Sequence, residues 1–399
     1  MEAPSIFQVD DRMRSKRREA FEPQKIALGP YHPSWPPVNQ LKDQACRKLV
    51  DRSRWSRDAF TNAVLSKEAE ASKCYRWDGG HPPASQAFRD MLLLDGCFLL
   101  EIISGKIISS VPYLEHQQML MDVLKLENQI PMVVLRELYK FEHSNDRVEE
   151  LLLNFLFTPA NYSGMFARLL QKMHDASHVL DAMRIKMFPG MILTKGAEPG
   201  LLSLRKSAST KPGFAFAALY SATELLDAGI VLSPDSSGAV EWAEDSSTLS
   251  LPPVTVAPGM DVLFLNMVAF ERGTGDWRQP ATSCFRLFKD LVRTADDVRA
   301  LRSKGVLVNA LPTDDSGVVD FFRELKLGDD TYDVDMLCGT KMAVNAKVGS
   351  RKMARYSSIG NACFKMPSPS ESLAFAAGLV LLLQTVHLIQ LYTNSPKST

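Results

Sequence analysis

A histidine and a tyrosine adjoin in Gly29-Pro30-Tyr31-His32, inside the stretch KIALGPYHPSWPP. The imidazole could act as a general acid or base, but that chemistry needs a nucleophile or an orienting carboxylate, and no adjacent residue supplies one. A structural role is the alternative, since Gly29 tolerates unusual backbone geometry and Pro30 fixes φ. Turn chemistry therefore favours a rigid bend, with Tyr31 covering the edge of the core.

Glu127, Asn128 and Gln129 form a second polar group, placed just before Pro131 in an otherwise apolar region. Glu127 could be a general base. The three side chains could instead satisfy backbone groups that are freed where a helix breaks, and we favour this structural role. Because Pro131 lacks an amide donor, we predict that one helix ends near Glu127 to Gln129 and another begins close to Pro131.

Other residues with chemical potential lie in apolar or helical surroundings. Asp95 and Cys97 fall in the run MLLLDGCFLLEI. A carboxylate there is expected to find a backbone or arginine partner, and Cys97 is expected to pack, although it could also be a nucleophile. His174 and His178 are four residues apart, which suits a metal on one helix face, but a third ligand and an HExxH acid are missing. We therefore predict no metal site.

The common catalytic signatures are absent from the sequence. It contains no GxSxG, no GxxxxGK[ST] and no GxGxxG, which argues against the commonest hydrolase, P-loop and dinucleotide-binding classes. We predict that the protein is not an enzyme and that it binds no cofactor. An enzyme with an unrecognised active site, built around Asp95, Glu127 or His32, stays open as the alternative.

Charge and cysteine content narrow the class of protein. Lysine plus arginine total 46 and aspartate plus glutamate total 46 among 399 residues. This balance gives no global electrostatic reason to bind nucleic acid. The basic run from Arg12 to Arg18 is most simply a solvated face. Six scattered cysteines match no zinc or disulfide framework, which indicates reduced thiols in a cytosolic body.

Hydrophobic periodicity predicts a mainly α fold with a minor β component. Residues 1–188 form an N-terminal helical lobe, and residues 189–213, rich in Gly, Pro, Ser and Lys, form a linker or mobile loop. Residues 214–350 form a second lobe, in which IVLSPD, AVEWA and STLSLPPVTVAP are typical of short strands between helices. Gly229 is predicted to end one helix, and one of residues 314–316 to cap another. Together the lobes make a large helical globular body.

The end of the chain has a different character. After a juxtamembrane segment, residues 351–372, the run LAFAAGLVLLLQTVHLIQL from Leu373 through Gly378 to Leu391 carries no formal charge. At roughly 1.5 Å per residue it would reach about 28 Å, close to the ~30 Å core of a bilayer. Gln384 and His387 lie near its middle, where polar groups are unfavourable.

We predict that residues 373–391 form one C-terminal hydrophobic helix that spans a membrane as a tail anchor. The N-terminus contains no signal peptide, and Arg351, Lys352 and Arg355 precede the helix, so the positive-inside bias keeps the body in the cytosol. The sequon at Asn161 would then stay unmodified. The alternative is that this helix docks on the protein's own body, which would make the protein cytoplasmic.

Several segments together resemble a plant family known as domain of unknown function 247, which includes UPF0481 proteins. The matching segments, in order, are KIALGPYH, MLLLDGCFLLEI, KLENQIPMVVLREL, SATELLDAGI, LSLPPVTV, LNMVAFE, DLVRTADDVRALRSKGVLVN and LAFAAGLVLLLQTVHLIQLY. The resemblance implies a hydrophobic C-terminal helix. The family has no established reaction, so no catalytic residue follows from it. Some members are candidate pollen-side determinants in grass self-incompatibility, which makes recognition or signalling a plausible specialisation.

The expected function is that of a membrane-anchored plant interaction or signalling protein without catalytic activity. Its partner would be another protein, in addition to the membrane that holds the C-terminal helix. The sequence identifies neither that partner nor the oligomeric state.

Overall fold

Helices make up most of the chain, as the periodicity predicts. The computed structural model describes residues 4–32, 39–77, 85–106, 113–143, 147–156, 166–193, 218–276, 278–327 and 335–363. The helices are α1 Asp11–Lys16, α2 Asn39–Arg52, α3 Arg57–Cys74, α4 Ser85–Ile103, α5 Tyr113–Val123, α6 Met132–Tyr139, α7 Val148–Leu156, α8 Phe166–Met173, α9 Val179–Met187, α10 Pro189–Leu193, α11 Ala222–Asp227, α12 Met260–Thr274, α13 Pro280–Leu291, α14 Ala295–Ser303, α15 Asp315–Glu324 and α16 Cys338–Cys363. A short 3-10 helix, Arg18–Ala20, follows α1.

Two small sheets supply the minor β component. In the first, β1 (Val231–Pro234) pairs in parallel with β3 (Thr248–Leu251), and β2 (Glu241–Ala243) pairs antiparallel with β3. In the second, β4 (Val254–Val256) pairs in parallel with β5 (Leu307–Asn309). The mainly α class with a minor β component is therefore confirmed.

Helix α4 has a sequence that is apolar on nearly every face. Phe88, Leu92, Phe98 and Ile102 are among its buried residues, and it packs against α2, α3 and α6. A helix without a polar stripe is stable in water only when other elements cover it on all sides. The apolar run therefore explains why α4 is covered by α2, α3 and α6.

Local capping signals set several helix boundaries. Asp314 is the N-cap of α15 and accepts a hydrogen bond from the Ser316 amide, as predicted for this position. Gly229, at φ +80°, follows the end of α11, and its amide donates to the Leu226 carbonyl. Thr294 and Asp297 form a capping box that starts α14.

The predicted helix end near Glu127 to Gln129 is wrong by about one turn, because α5 ends at Val123. The reason lies in side chains downstream. Asn128 Nδ2 donates to the Asp122 carbonyl, and Gln129 Nε2 donates to the Val123 and Lys125 carbonyls. These carbonyls would otherwise accept the amides of a continuing helix. The second helix begins as predicted, with Pro131 as the N-cap of α6.

The chain divides into two compact units, Met1–Ala346 and Lys347–Thr399. The predicted linker at 189–213 begins with α10, and its remainder from residue 194 lies outside the described residues. The predicted juxtamembrane segment is helical as far as Cys363, where α16 ends.

The predicted transmembrane segment, with Leu373, Gly378, Gln384, His387 and Leu391, lies outside the described residues, and so does the sequon at Asn161. Within the described ranges, no helix is long and apolar enough to cross a membrane.

Candidate functional site

The N-terminal segment, residues 4–32, crosses the body mostly without regular structure. Ile6, Ile26 and Leu28 in this segment are almost completely buried. Buried backbone amides and carbonyls need hydrogen-bond partners, and residues 4–32 supply few of them from within the segment itself. Side chains from distant parts of the sequence supply them. We call these side chains the buried polar network: Asp95, Asp122, Lys125, Glu127, Asn128, Gln129 and Asn266.

Asp122 holds one turn of the N-terminal segment through three consecutive amides. Its carboxylate accepts hydrogen bonds from the amides of Gln24, Lys25 and Ile26, at 2.6–3.0 Å. Asp122 is completely buried, and the ammonium of Lys125 lies 3.0 Å from its Oδ1. The carboxylate is thus neutralised by one cation and several dipoles, which offset the cost of its burial.

Lys125 and Asn266 hold the carbonyls of the same stretch. Lys125 Nζ, although buried, donates to the carbonyls of Glu19 and Glu22. Asn266 lies on α12, where its Nδ2 donates to the Ala20 carbonyl at 2.9 Å, and its Oδ1 accepts from the Leu126 amide at 2.8 Å. Asn266 therefore joins three parts of the chain that are far apart in sequence.

Asn128 and Gln129 use both ends of their amide groups. Asn128 Oδ1 accepts from the Leu28 amide, and its Nδ2 donates to the Ile26 carbonyl at 3.0 Å. Gln129 Oε1 accepts from the Leu180 amide at 3.2 Å. Tyr75 donates its hydroxyl to the Gln129 carbonyl at 3.0 Å. Each amide group acts on the protein's own backbone, which supports the structural role predicted for the pair.

Asp95 fixes the turn at Gly29 from the middle of α4. Its Oδ2 accepts from the Gly29 amide at 2.8 Å, and its Oδ1 lies 2.5 Å from Lys42 Nζ. Lys42 Nζ also donates to the Ala27 carbonyl. Burial raises the pKa of the Asp95 carboxyl, while the Lys42 charge and the Gly29 amide act in the opposite direction. The predicted backbone partner is thus present, and a lysine stands where an arginine was expected.

Glu127 lies where three parts of the N-terminal segment meet. Its Oε1 accepts from the Val9 amide at 2.6 Å and pairs with the Arg14 guanidinium. Its Oε2 lies 3.3 Å from His32 Nε2, close enough for an ion pair, but no hydrogen bond forms between them, and neither atom has another partner among the described residues. The two groups are therefore in contact without a formed hydrogen bond, because hydrogen bonds weaken steeply with poor angles.

This contact changes the interpretation of His32. No carboxylate lies next to His32 in the sequence. In the folded chain the carboxylate of Glu127, 95 positions away, lies beside the imidazole. Glu127 is 1% exposed and the His32 side chain 12% exposed, so the pair lies just below the surface. A carboxylate beside an imidazole is an arrangement that general-base catalysis uses.

The Gly29 turn has the geometry that the structural interpretation requires. Gly29 has φ +73°, a region that only glycine enters without strain, and residues 29–31 bend the chain through Pro30. Tyr31 then places its hydroxyl within 3.0 Å of the carbonyls of Ile6 and Arg76.

We expect Gly29→Val to destabilise the protein by about 2 kcal/mol or more, because it combines backbone strain with steric conflict. A Cβ at Gly29 would lie 3.0 Å from the Gln129 carbonyl oxygen. His32→Ala should cost less, since its Nε2 forms no hydrogen bond with any residue that the structure describes. Urea denaturation measures both. Gly275→Val is the matched control, because Gly275 has φ +69° but open space around its Cβ position. Equal losses at both glycines would contradict close packing at Gly29.

His174 and His178 do not share a helix face, so the premise of a metal pair is wrong. His174 lies in a turn after α8, and His178 is the N-cap of α9. Its Nδ1 accepts from the Asp181 amide at 3.2 Å, so its Nε2 carries the proton and donates to the Ser5 carbonyl at 3.0 Å. Among the described residues no cluster of His, Cys, Asp and Glu could hold a metal ion.

Stability should fall as the pH decreases below about 6.5, because His178 is held neutral. Burial lowers the pKa of His178 to about 4 in the folded state, from 6.5 in the unfolded chain. The unfolded state therefore binds more protons between these values, and up to about 3 kcal/mol is lost as the pH falls through this window. Urea denaturation at several pH values measures the slope. His178→Asn keeps an N-cap acceptor and should flatten it, whereas His143→Asn should not. Equal slopes for all three proteins would contradict the assignment.

Cys97 is fully buried, as expected for a packed cysteine. The pKa of the Cys97 thiol lies well above its usual value. The main cause is its contact with the Cys46 thiol, and burial is the second cause. A thiol that resists ionisation is a poor nucleophile.

The basic run at Arg12 to Arg18 is more than a solvated face. Arg14 pairs with Glu127, Arg17 with Asp261, and Arg18 with Glu22. Two of these pairs connect the run to acids more than a hundred residues away. The run thus helps to hold the N-terminal segment to the body.

Sequence reasoning missed Asp122, Lys125 and Asn266 as members of the network, and it missed Lys42 as the partner of Asp95. A signal was available for the first two, because DVLKLENQ places charged residues at positions that helical periodicity would bury. For Asn266 and Lys42 no local signal exists, since their partners lie elsewhere in the chain.

The fold and this site define a mainly helical protein whose N-terminal segment is held by a buried polar network. The chain belongs to the DUF247 family, described as plant protein of unknown function, whose profile matches residues 6–384. It is 26% identical to the UPF0481 protein At3g47200 of Arabidopsis thaliana, over 84% of this chain and 74% of that protein. It is 21% identical to a second UPF0481 protein of that plant, At3g02645, over 78% and 76% of the two chains. No solved structure gives a significant match.

Proposed function

We propose that this protein is a non-catalytic interaction or signalling protein, whose helical body is attached to a membrane by residues 373–391. The observation that supports a non-catalytic role is that the buried polar side chains bond the protein itself. Asp95, Asp122, Asn128 and Gln129 lie in or beside the segments that carry the family resemblance, and their polar groups bond the protein's own backbone or a lysine.

Groups used in this way are poor candidates for catalysis. A catalytic acid or base must reach a substrate with a free lone pair or proton. The Asp122 carboxylate already receives three amides and one ammonium, and the Asp95 carboxylate receives one amide and one ammonium. These bonds favour a role in holding the fold, so that the outer surface would carry the function.

The membrane half of the proposal rests on residues 373–391, which are uncharged and long enough to cross a bilayer core. The body would face the cytosol, with the anchor at its C-terminal end. A cytoplasmic protein whose last helix docks on its own body is the competing arrangement. The role in self-incompatibility suggested by the resemblance is a narrower proposal, which identified partners would test.

Carbonate extraction of the tagged full-length protein from plant membranes tests the anchor. The wild-type protein should stay in the membrane pellet, and a variant with Leu381, Leu382 and Leu383 replaced by glutamine should be released. Ser395→Gln, beyond the apolar run, is the control and should stay in the pellet. Release of the wild-type protein would overturn the anchor, and a glycan on Asn161 would overturn the cytosolic orientation. Partners would be identified from the same membranes by affinity purification.

A second candidate function is catalysis at the His32–Glu127 pair. The observation that favours it is the 3.3 Å separation between the buried Glu127 carboxylate and the His32 imidazole just below the surface. Catalytic polar groups are often kept at the expense of stability, so their replacement is neutral or stabilising. If His32→Ala and Glu127→Gln both raise the melting temperature, the enzyme becomes the better proposal. Losses in both would support the structural role.

A further inference from the structure

Helices α2 and α4 pack against each other and are joined by ion pairs in one register. Lys42 on α2 pairs with Asp95 on α4 at 2.5 Å. Farther along both helices, the Arg52 guanidinium pairs with the Glu101 carboxylate. Because the contacts advance along both helices in the same sense, the two helices run parallel, and the two ion pairs fix how one lies along the other.

Between these two ion pairs the helices bring two cysteines together. Cys46 lies one turn after Lys42, and Cys97 lies two residues after Asp95. Both side chains are completely buried, and their thiols are in contact. A disulfide joins cysteines whose Cβ atoms lie about 4 Å apart, so thiols that already touch across two packed helices are placed to form one.

The two thiols differ in how readily they ionise. Contact with the Cys97 thiol lowers the pKa of Cys46, burial acts in the opposite direction, and the Arg57 charge lowers it further. The same contact, together with burial, raises the pKa of Cys97. The thiolate is the reactive form of a cysteine. Cys46 is therefore the thiol that reacts first, and Cys97 is the partner beside it.

The charged groups that act on Cys46 belong to the surface of the body. They are Arg57, Asp43 and Arg47, whose side chains are between 31% and 70% exposed. Arg57 pairs with Asp43 at 3.1 Å. Exposed ion pairs contribute little to stability, so these side chains separate at little cost. A small oxidant can thus reach Cys46 through a local opening, without unfolding of the whole body.

We propose that Cys46 and Cys97 form a redox-responsive pair, which hydrogen peroxide oxidises to a disulfide between α2 and α4. The Cys46 thiolate attacks one peroxide oxygen, the O–O bond breaks, and the hydroxide that leaves takes up the Cys46 proton as water. Cys46 is then a sulfenic acid. The Cys97 sulfur attacks the Cys46 sulfur, the S–O bond breaks, and the hydroxyl leaves with the Cys97 proton as a second water. Two thiols are oxidised, and one peroxide is reduced to two waters.

Disulfide mapping of the full-length chain by mass spectrometry tests this pair. The reduced protein is treated with an equimolar amount of hydrogen peroxide, and the remaining thiols are alkylated before proteolysis. A peptide that links Cys46 to Cys97 should be the main oxidation product, and the intact chain should lose two hydrogen atoms. Dithiothreitol should reverse the change. This map of the wild-type protein does not depend on whether any variant folds.

Three variants assign the roles of the thiols. Cys97→Ala should leave Cys46 as a sulfenic acid, which dimedone traps. Cys46→Ala should leave Cys97 unmodified, because its thiol ionises poorly. Cys74→Ala is the control, because Cys74 is partly exposed at the end of α3 and its Sγ donates to the Glu70 carbonyl. The disulfide between Cys46 and Cys97 should form in this control as in the wild-type protein.

The contrary outcomes are equally specific. Oxidation of Cys74 or Cys338 while Cys46 and Cys97 stay reduced would overturn the proposal. A linked peptide that forms only after urea unfolds the chain would overturn it as well, because the folded helices would then keep the peroxide out. Sulfinic acid on Cys46 without the linked peptide would show that Cys97 does not react with it, and no redox pair would remain.

Discussion

Glu127→Leu is expected to lower the free energy of unfolding by about 3 kcal/mol or more, because a buried donor left unpaired costs about 1–3 kcal/mol and a hydrogen bond to a charged group contributes about 1.5–3 kcal/mol. The substitution removes the acceptor of the buried Val9 amide and leaves the Arg14 guanidinium without its carboxylate. Glu127→Gln should cost less, because its amide oxygen can still accept from Val9. Urea denaturation of the two variants gives both values.

Glu137 provides the matched control for this substitution. It pairs with Lys140 at 2.7 Å, but the Lys140 side chain is 60% exposed, so the pair is largely solvated. Exposed ion pairs contribute about 0–1 kcal/mol, and Glu137→Leu should stay within that range. Small and equal losses in Glu127→Leu and Glu137→Leu would show that Glu127 does not hold the N-terminal segment.

Asp122→Ala should destabilise the protein by at least about 4 kcal/mol, since each buried donor left without a partner costs about 1–3 kcal/mol. Three amides of the N-terminal segment and the buried Lys125 ammonium lose their acceptor together. Native-state hydrogen exchange should also show faster exchange at Gln24, Lys25 and Ile26. That second readout ties the loss to this segment.

Asp175→Ala is the control, because Asp175 is a surface acid paired with Lys172 and is 60% exposed. Its loss should be below about 1 kcal/mol and should leave the exchange at residues 24–26 unchanged. If Asp122→Ala lowers stability while those three amides keep their protection, the carboxylate does not hold the segment, and the buried polar network has been misinterpreted.

The helical class, the short strands and several caps could be predicted from the sequence. The apolar pattern of α4, the alternating residues of β3 and the cap at Asp314 each depend on residues within a few positions of one another. Such local patterns act in the same way in any fold. The predicted end of α5 is one turn too late, because Asn128 and Gln129 bond its carbonyls from only four to six residues away. The same two side chains are also held by the distant amides of Leu28 and Leu180, which local sequence does not reveal.

The class of fold, the family resemblance and the polar group at Glu127, Asn128 and Gln129 can all be read from the amino-acid order. The partners of those three side chains follow from the folded structure. Glu127 reaches Val9 across 118 positions and Arg14 across 113, and Asn266 reaches Ala20 across 246. Partners so far apart leave no periodic signal, because their contact follows from how the helices pack and not from local backbone preference. For the same reason, the approach of His32 to Glu127 could not be foreseen from its neighbours in the chain.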